Sequence, residues 1–234
     1  MRFFSLTILL LTIVSGYNSY SQEAVETESA SHIFWQSNRV INKNDYKGEE
    51  PTDPKLIGYC EDLEMCTMAY VGLYSVLDIP KKKRNRGAML EKVYFAPAFD
   101  KNSSYIIEPD SFGVEKQRII YDIFELSARY AREKLISYQD SMDAYGVLIN
   151  FFKSVEADAL ELKDKTVSAF VQDVYIEKKD SAFSDWRQYV DKLLVESKKF
   201  ETTSEECYRF VKNEPVAEGY IMAETVVGNL FKEE

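Results

Sequence analysis

A chain of 234 residues, 45% hydrophobic and 29% charged, is long enough for one domain with a packed core, which excludes global disorder. Its formal net charge of −10 argues against nucleic acid and anionic membranes as partners, because both are polyanions that an acidic surface repels. A single histidine excludes any chemistry that needs two imidazoles.

Residues 1–21 read as a secretory signal peptide. Arg2 is the positive start, Phe3 to Val14 the apolar run, and Ser19 and Ser21 the small residues before cleavage. The apolar run is shorter than the ~20 residues a membrane span needs. A retained N-terminal anchor is the alternative. Cleavage removes Arg2 and takes the charge from −10 to −11. No later run is long and apolar enough to cross a membrane, so the expectation is an exported protein, periplasmic or secreted, with no transmembrane segment in the mature chain.

Residues 22–31, polar and acidic, read as a flexible mature N-terminus. From His32 an apolar start followed by Gly48, Pro51, Asp53 and Pro54 reads as a short strand and a loop. In CTMAYVGLYSVLDIP, Ala69, Val71, Leu73, Ser75, Leu77 and Ile79 form a mostly apolar set at period two, which predicts a strand. KKKRNRG at 81–87 is a basic turn, read as a solvated loop over an anion-binding patch. The following VYFAPAFDKNSSYI is extended, and the two strands suggest a hairpin.

From about Val114 the pattern becomes helical. Ile119, Ile123, Leu126 and Tyr130 share one face, and Asp110 and Ser111 are candidate caps. Arg118–Asp122 and Glu125–Arg129 are opposite charges one turn apart, expected to pair. Gly146 separates this helix from a helical stretch over 147–199, predicted to break near Lys178–Ala182. Pro215 and Gly219 punctuate the tail, and TVVGNLFKEE reads as a closing strand or helix.

Cys60 and Cys66 are a disulfide candidate in an oxidising compartment. On one continuous helix they would lie ~9 Å apart, too far to bond, so a bridge requires a turn within EDLEM. Cys207 reads as a buried small hydrophobe. The lone His32 reads as a surface or strand-edge residue.

Trp35, then Asp45-Tyr46-Lys47-Gly48, then VYFAPAFDKNSSYI, then YDIFELSARYAREKL follow in order. This order resembles a family of exported bacterial proteins catalogued as domain of unknown function nine-two-two, over roughly residues 33–195. That family is zincin-like, with a helix bearing His-Glu-Gln-x-His-Phe-Asp-Ile-x-Glu-x-x-Ala-Arg. Asp122, Ile123, Glu125, Leu126, Ala128 and Arg129 match the second half of that motif. The first half does not match. Lys116 stands at the first histidine, Gln117 at the catalytic glutamate and Ile120 at the second histidine. A later histidine segment of the family aligns with YIEKKDSA, which places Ser181 at the third ligand position. Lys116 repels a metal, Ile120 has no lone pair, and Gln117 has no useful basicity. No catalytic residue, metal or cofactor is assigned. Asp122, Glu125 and Arg129 are the retained motif residues.

The expectation is therefore an α+β fold, a small antiparallel sheet packed with a zincin-like core helix and further C-terminal helices. The degenerate domain spans 32–199 and a C-terminal extension spans 200–234. The expected function is non-catalytic binding of a protein, peptide or cell-envelope component, with no nucleic acid. The alternative is a metal-free hydrolase using acidic residues of a relocated site.

Overall fold

The computed structural model describes residues 26–109 and 112–224. The expected signal segment, Asp110, Ser111 and TVVGNLFKEE lie outside the described residues. The fold is α+β, a four-stranded antiparallel sheet in the order β1-β3-β2-β4 with helices on both faces.

The sheet is built on the predicted hairpin, β2 (Thr67–Pro80) against β3 (Lys92–Ile106). The short strand β1 (His32–Phe34) pairs with β3, and β4 (Tyr220–Met222) pairs with β2. The period-two set of β2 does face one core. Leu73 and Leu77 pack with Phe95 against the long helix α2 (Gly113–Met142), and Ser75 donates to Glu156 of α3 (Val147–Val171). The other sheet face is covered as well. Ala96 and Ala98 are small enough to let Cys207 of α5 (Ser204–Lys212) approach, with Phe34 alongside. YFAPAF is apolar throughout because both of its faces are buried.

α2 occupies the centre of the molecule. Ile119 and Ile123 are sealed, and Leu126 and Tyr130 pack half-buried against the same core. Burial is not confined to that face: Gln117, Tyr121, Glu125, Arg129 and Arg132 are buried too. Helix α3 begins at Gly146, whose φ of 97° suits a glycine. The predicted break is present: α3 runs through a π-helical turn at Gln172–Ile176, Lys178 has a φ of 48°, and α4 (Ala182–Glu196) follows.

Three elements differ from the sequence reading. A helix, α1 (Pro54–Leu63), stands where only a loop and an unassigned stretch were expected. Asp53 caps it and Pro54 opens it, the usual start signals. The flexible reading of residues 22–31 fails for the described part. Phe34 donates its N–H to the Thr27 carbonyl and Lys101 donates to the Ser29 carbonyl, so this segment lies along the outer edge of β1. The boundary at 199/200 has no structural counterpart. Arg209 on α5 makes a two-pronged pair with Asp78 at 2.8 Å on each prong, both residues about 1% exposed, which locks the extension onto β2.

Candidate functional site: the start of α2 and the adjoining groove

The first turns of α2 carry the replaced positions. In β2 the register against β3 shifts between Met68 and Tyr70, which removes the Ala69 N–H from the ladder. Gln117, fully buried, accepts that N–H at 3.0 Å. The other end of its amide donates to the Tyr175 hydroxyl at 3.1 Å. The amide serves both partners at once, its oxygen accepting from Ala69 and its nitrogen donating to Tyr175. Gln117 thus closes a strand bulge. Lys116 lays its ammonium 5.0 Å from the centre of the Tyr175 ring. Ile120 is part of the main core.

Tyr175 was missed as a site residue, although it opens the YIEKKDSA stretch. The π-helical turn is what brings it onto α2. Ser181 is not brought there. It is exposed at the start of α4 and donates to Asp185 at 2.6 Å. Lys116, Gln117 and Tyr175 are therefore one cluster, and Ser181 stands outside it.

The retained motif residues form a second cluster one turn further on. The Trp35 indole N–H donates to Asp122 at 2.8 Å, and the Trp35 ring lies 5.1 Å from the Arg129 guanidinium. The expected Arg118–Asp122 pair is not made. Arg118 donates instead to the Ile41 carbonyl at 2.7 Å and to Glu115, while Asp122 pairs with Arg187 of α4 at 2.7 Å. The chain places an arginine from another helix where the local spacing offered one on the same helix. Glu125–Arg129 is made at 2.7 Å, both residues buried. Glu125 also accepts from Arg132 at 3.2 Å and from the Thr202 backbone N–H at 2.9 Å. Burial pushes both the Asp122 and Glu125 carboxyls above their usual range. Trp35 and Arg187 pull Asp122 back, as Arg132 and Arg129 pull Glu125.

The opening motif is structural as well. Asp45 accepts from Arg39 at 2.7 Å and closes a capping box with Asn42. Tyr46 packs edge-on against Phe99, ring centres 5.0 Å apart. A Cβ on Gly48 would sit 2.7 Å from the Ser104 carbonyl oxygen, so only glycine lets this loop lie on β3.

Beside the second cluster, between the segment after β1 and helices α2 and α4, lies a groove of about 550 Å³. Trp35, Arg118, Asp122 and Arg187 contribute to its lining, with Val40 and Val195 at 54% and 74% exposed. This combination of apolar walls and charged groups suits a ligand with both characters.

Cys60 and Cys66 are bonded to each other. The turn that permits it is the end of α1, where Glu64 adopts the left-handed conformation at φ 57°. Among the described residues, the one group of three metal-ligating side chains is Cys60, Cys66 and Glu108, and its two sulfurs are committed to the bridge. Cys207 is fully buried, its thiol pushed up to about 12 by burial. His32 lies on the edge strand, half-buried, beside the Tyr74 hydroxyl at 2.9 Å. Neither lines the groove.

No family model, no curated protein and no solved structure matches this chain.

Proposed function

We propose that this chain is an exported, non-catalytic binding protein derived from a zincin-like ancestor, and that it holds a protein, peptide or envelope component in the groove beside α2. The observation that carries the reading is the packing of Gln117. Both ends of its amide are spent on internal partners, Ala69 and Tyr175, at the position where a peptidase would need a free base. Two segments that the resemblance assigns to one site, the start of α2 and the stretch opening at Tyr175, do meet there. Ser181, the aligned third-ligand position itself, stands apart on α4, so the segment and not the aligned position is what reaches α2. The hydrolase alternative draws less support. Asp122 has one oxygen on Trp35 and the other on Arg187, and Glu125 is sealed from the groove by its own arginines.

The test is a paired measurement on the purified protein. Elemental analysis should give no stoichiometric zinc, and a broad peptidase panel no turnover. Photo-crosslinking from Val195 in the native envelope should give a discrete adduct that Arg118→Glu abolishes without lowering the melting temperature. One zinc per chain with chelator-sensitive peptidase activity would overturn the reading, and so would an adduct indifferent to Arg118→Glu.

A further inference from the structure

The turn between β2 and β3 carries six basic residues against one acid from Lys81 to Lys92, a local charge of +5. The chain as a whole carries −10, so all the rest of it sums to −15. Such a separation makes the molecule strongly polar, with one positive end on an acidic body.

The positive end is not neutralised within the protein. Lys81, Lys82, Lys83 and Arg84 are exposed, and among the described residues none forms an ion pair. Elsewhere lysines are compensated: Lys153 pairs with Glu156, Lys178 with Glu64, and Lys179 with Asp173. At the margins of the turn, Arg86 lies 5.3 Å from the Tyr145 ring and Lys92 5.4 Å from the Tyr220 ring. The one acid, Glu91, is buried and accepts from the Gly146 N–H, so it does not screen the exposed cations.

The turn is also held in shape. A 3-10 turn at Lys83–Asn85 is closed by the Arg86 N–H on the Lys83 carbonyl at 3.2 Å and the Met89 N–H on the Asn85 carbonyl at 2.9 Å. Lys81 donates its N–H to Gly219 at 2.8 Å, which fixes the turn to the segment entering β4. At this same end of the sheet, Val216, Ile221 and Met222 are partly exposed apolar side chains. An ordered, unpaired cluster of cations with apolar neighbours matches the chemistry of an anionic lipid surface. Phosphates there take the cations, and the interfacial zone takes the apolar groups.

We infer that the β2–β3 turn is a docking face for membranes bearing anionic phospholipid headgroups, with the acidic body held away from the surface. This goes beyond the binding reading of the groove and does not depend on it: the turn orients the protein, whatever the groove holds. The overall negative charge does not oppose it. At ~0.1 M salt, fields are screened beyond ~10 Å, so a surface touching the turn responds to the nearest charges.

The experiment is co-sedimentation of the protein with phosphatidylcholine vesicles, either pure or containing about a quarter phosphatidylglycerol. Binding is expected only to the anionic vesicles and should weaken as sodium chloride rises. Removing the charge of Lys81, Lys82, Lys83 and Arg84 together, each as glutamine, should weaken it more than about a hundredfold, at ~fivefold per cation. The salt titration on the unaltered protein keeps the test valid should that variant misfold. Equal binding to both vesicle types, no binding at low salt, or binding unchanged in the glutamine variant would overturn the inference. So would binding to heparin or DNA without binding to the anionic vesicles.

Discussion

Lys116–Ile120 and Asp122–Arg132 are neighbouring stretches of one helix, and both send side chains into the core, yet they are held there by different physics. The first is held without a buried ion pair: an amide shared between Ala69 and Tyr175, a cation over a ring, and an isoleucine in the core. The second is held by charge: Glu125 among Arg129, Arg132 and Thr202, and Asp122 between Trp35 and Arg187. The difference teaches how much change each stretch tolerates. Neutral partners can be exchanged singly at modest cost. A buried ion pair cannot lose one member without stranding the other.

The largest effect should come from breaking the charged half. Glu125→Ala removes the fully buried carboxylate that Arg129 and Arg132 share, leaving them only the more peripheral Glu201 at 3.7 Å and Glu206 at 3.2 Å, and should cost about 3–5 kcal/mol in chemical denaturation. A loss below about 1 kcal/mol would erase the contrast. The neutral half should be intermediate. Gln117→Ala strands the Ala69 N–H and takes a donor from Tyr175, at a cost of about 1–3 kcal/mol. Lys116→Ala loses a half-exposed cation–π contact and should cost less than about 1 kcal/mol. Thermal melts showing the two variants equally destabilised would mean that Lys116 belongs to a buried network of its own.

The smallest effect sharpens the comparison from outside the helix. Burial alone would raise the Asp45 carboxyl, but hydrogen bonds from Arg39 and the Asn42 N–H outweigh it and hold it low. A carboxyl depressed in the folded state contributes stability that is complete above its unfolded value of about 3.9 and is lost as pH falls through the lower folded value. The melting temperatures of the native protein and Asp45→Asn should therefore differ at pH 6 and converge only as the pH falls below about 3.9 and through the lower folded value. A gap that stays constant with pH would assign the role of Asp45 to shape and not to charge.

Much of the architecture was written in local pattern. The alternation over 69–79, the apolar face at Ile119 and Ile123, the break near Lys178 and the central position of Glu125–Arg129 depend on spacing along the chain, and spacing is visible in sequence. α1 was also signalled by Asp53 and Pro54, but the helix is short and its neighbours read as turn residues.

What only the tertiary structure decided are the partners drawn from a distance. Asp122 chose Arg187 over Arg118, because α4 brings a guanidinium to its free oxygen while Ile41 and Glu115 take Arg118. Gln117 found a backbone donor 48 residues away, set free by a register shift in β2 that no local pattern announces. The segment beyond residue 199 became part of the core because Thr202 and Arg209 complete charges on α2 and β2. Periodicity tells a residue which way to face. Which group it meets there depends on how the elements pack, and in this chain that determined whether each candidate site position became a scaffold contact or remained at the surface.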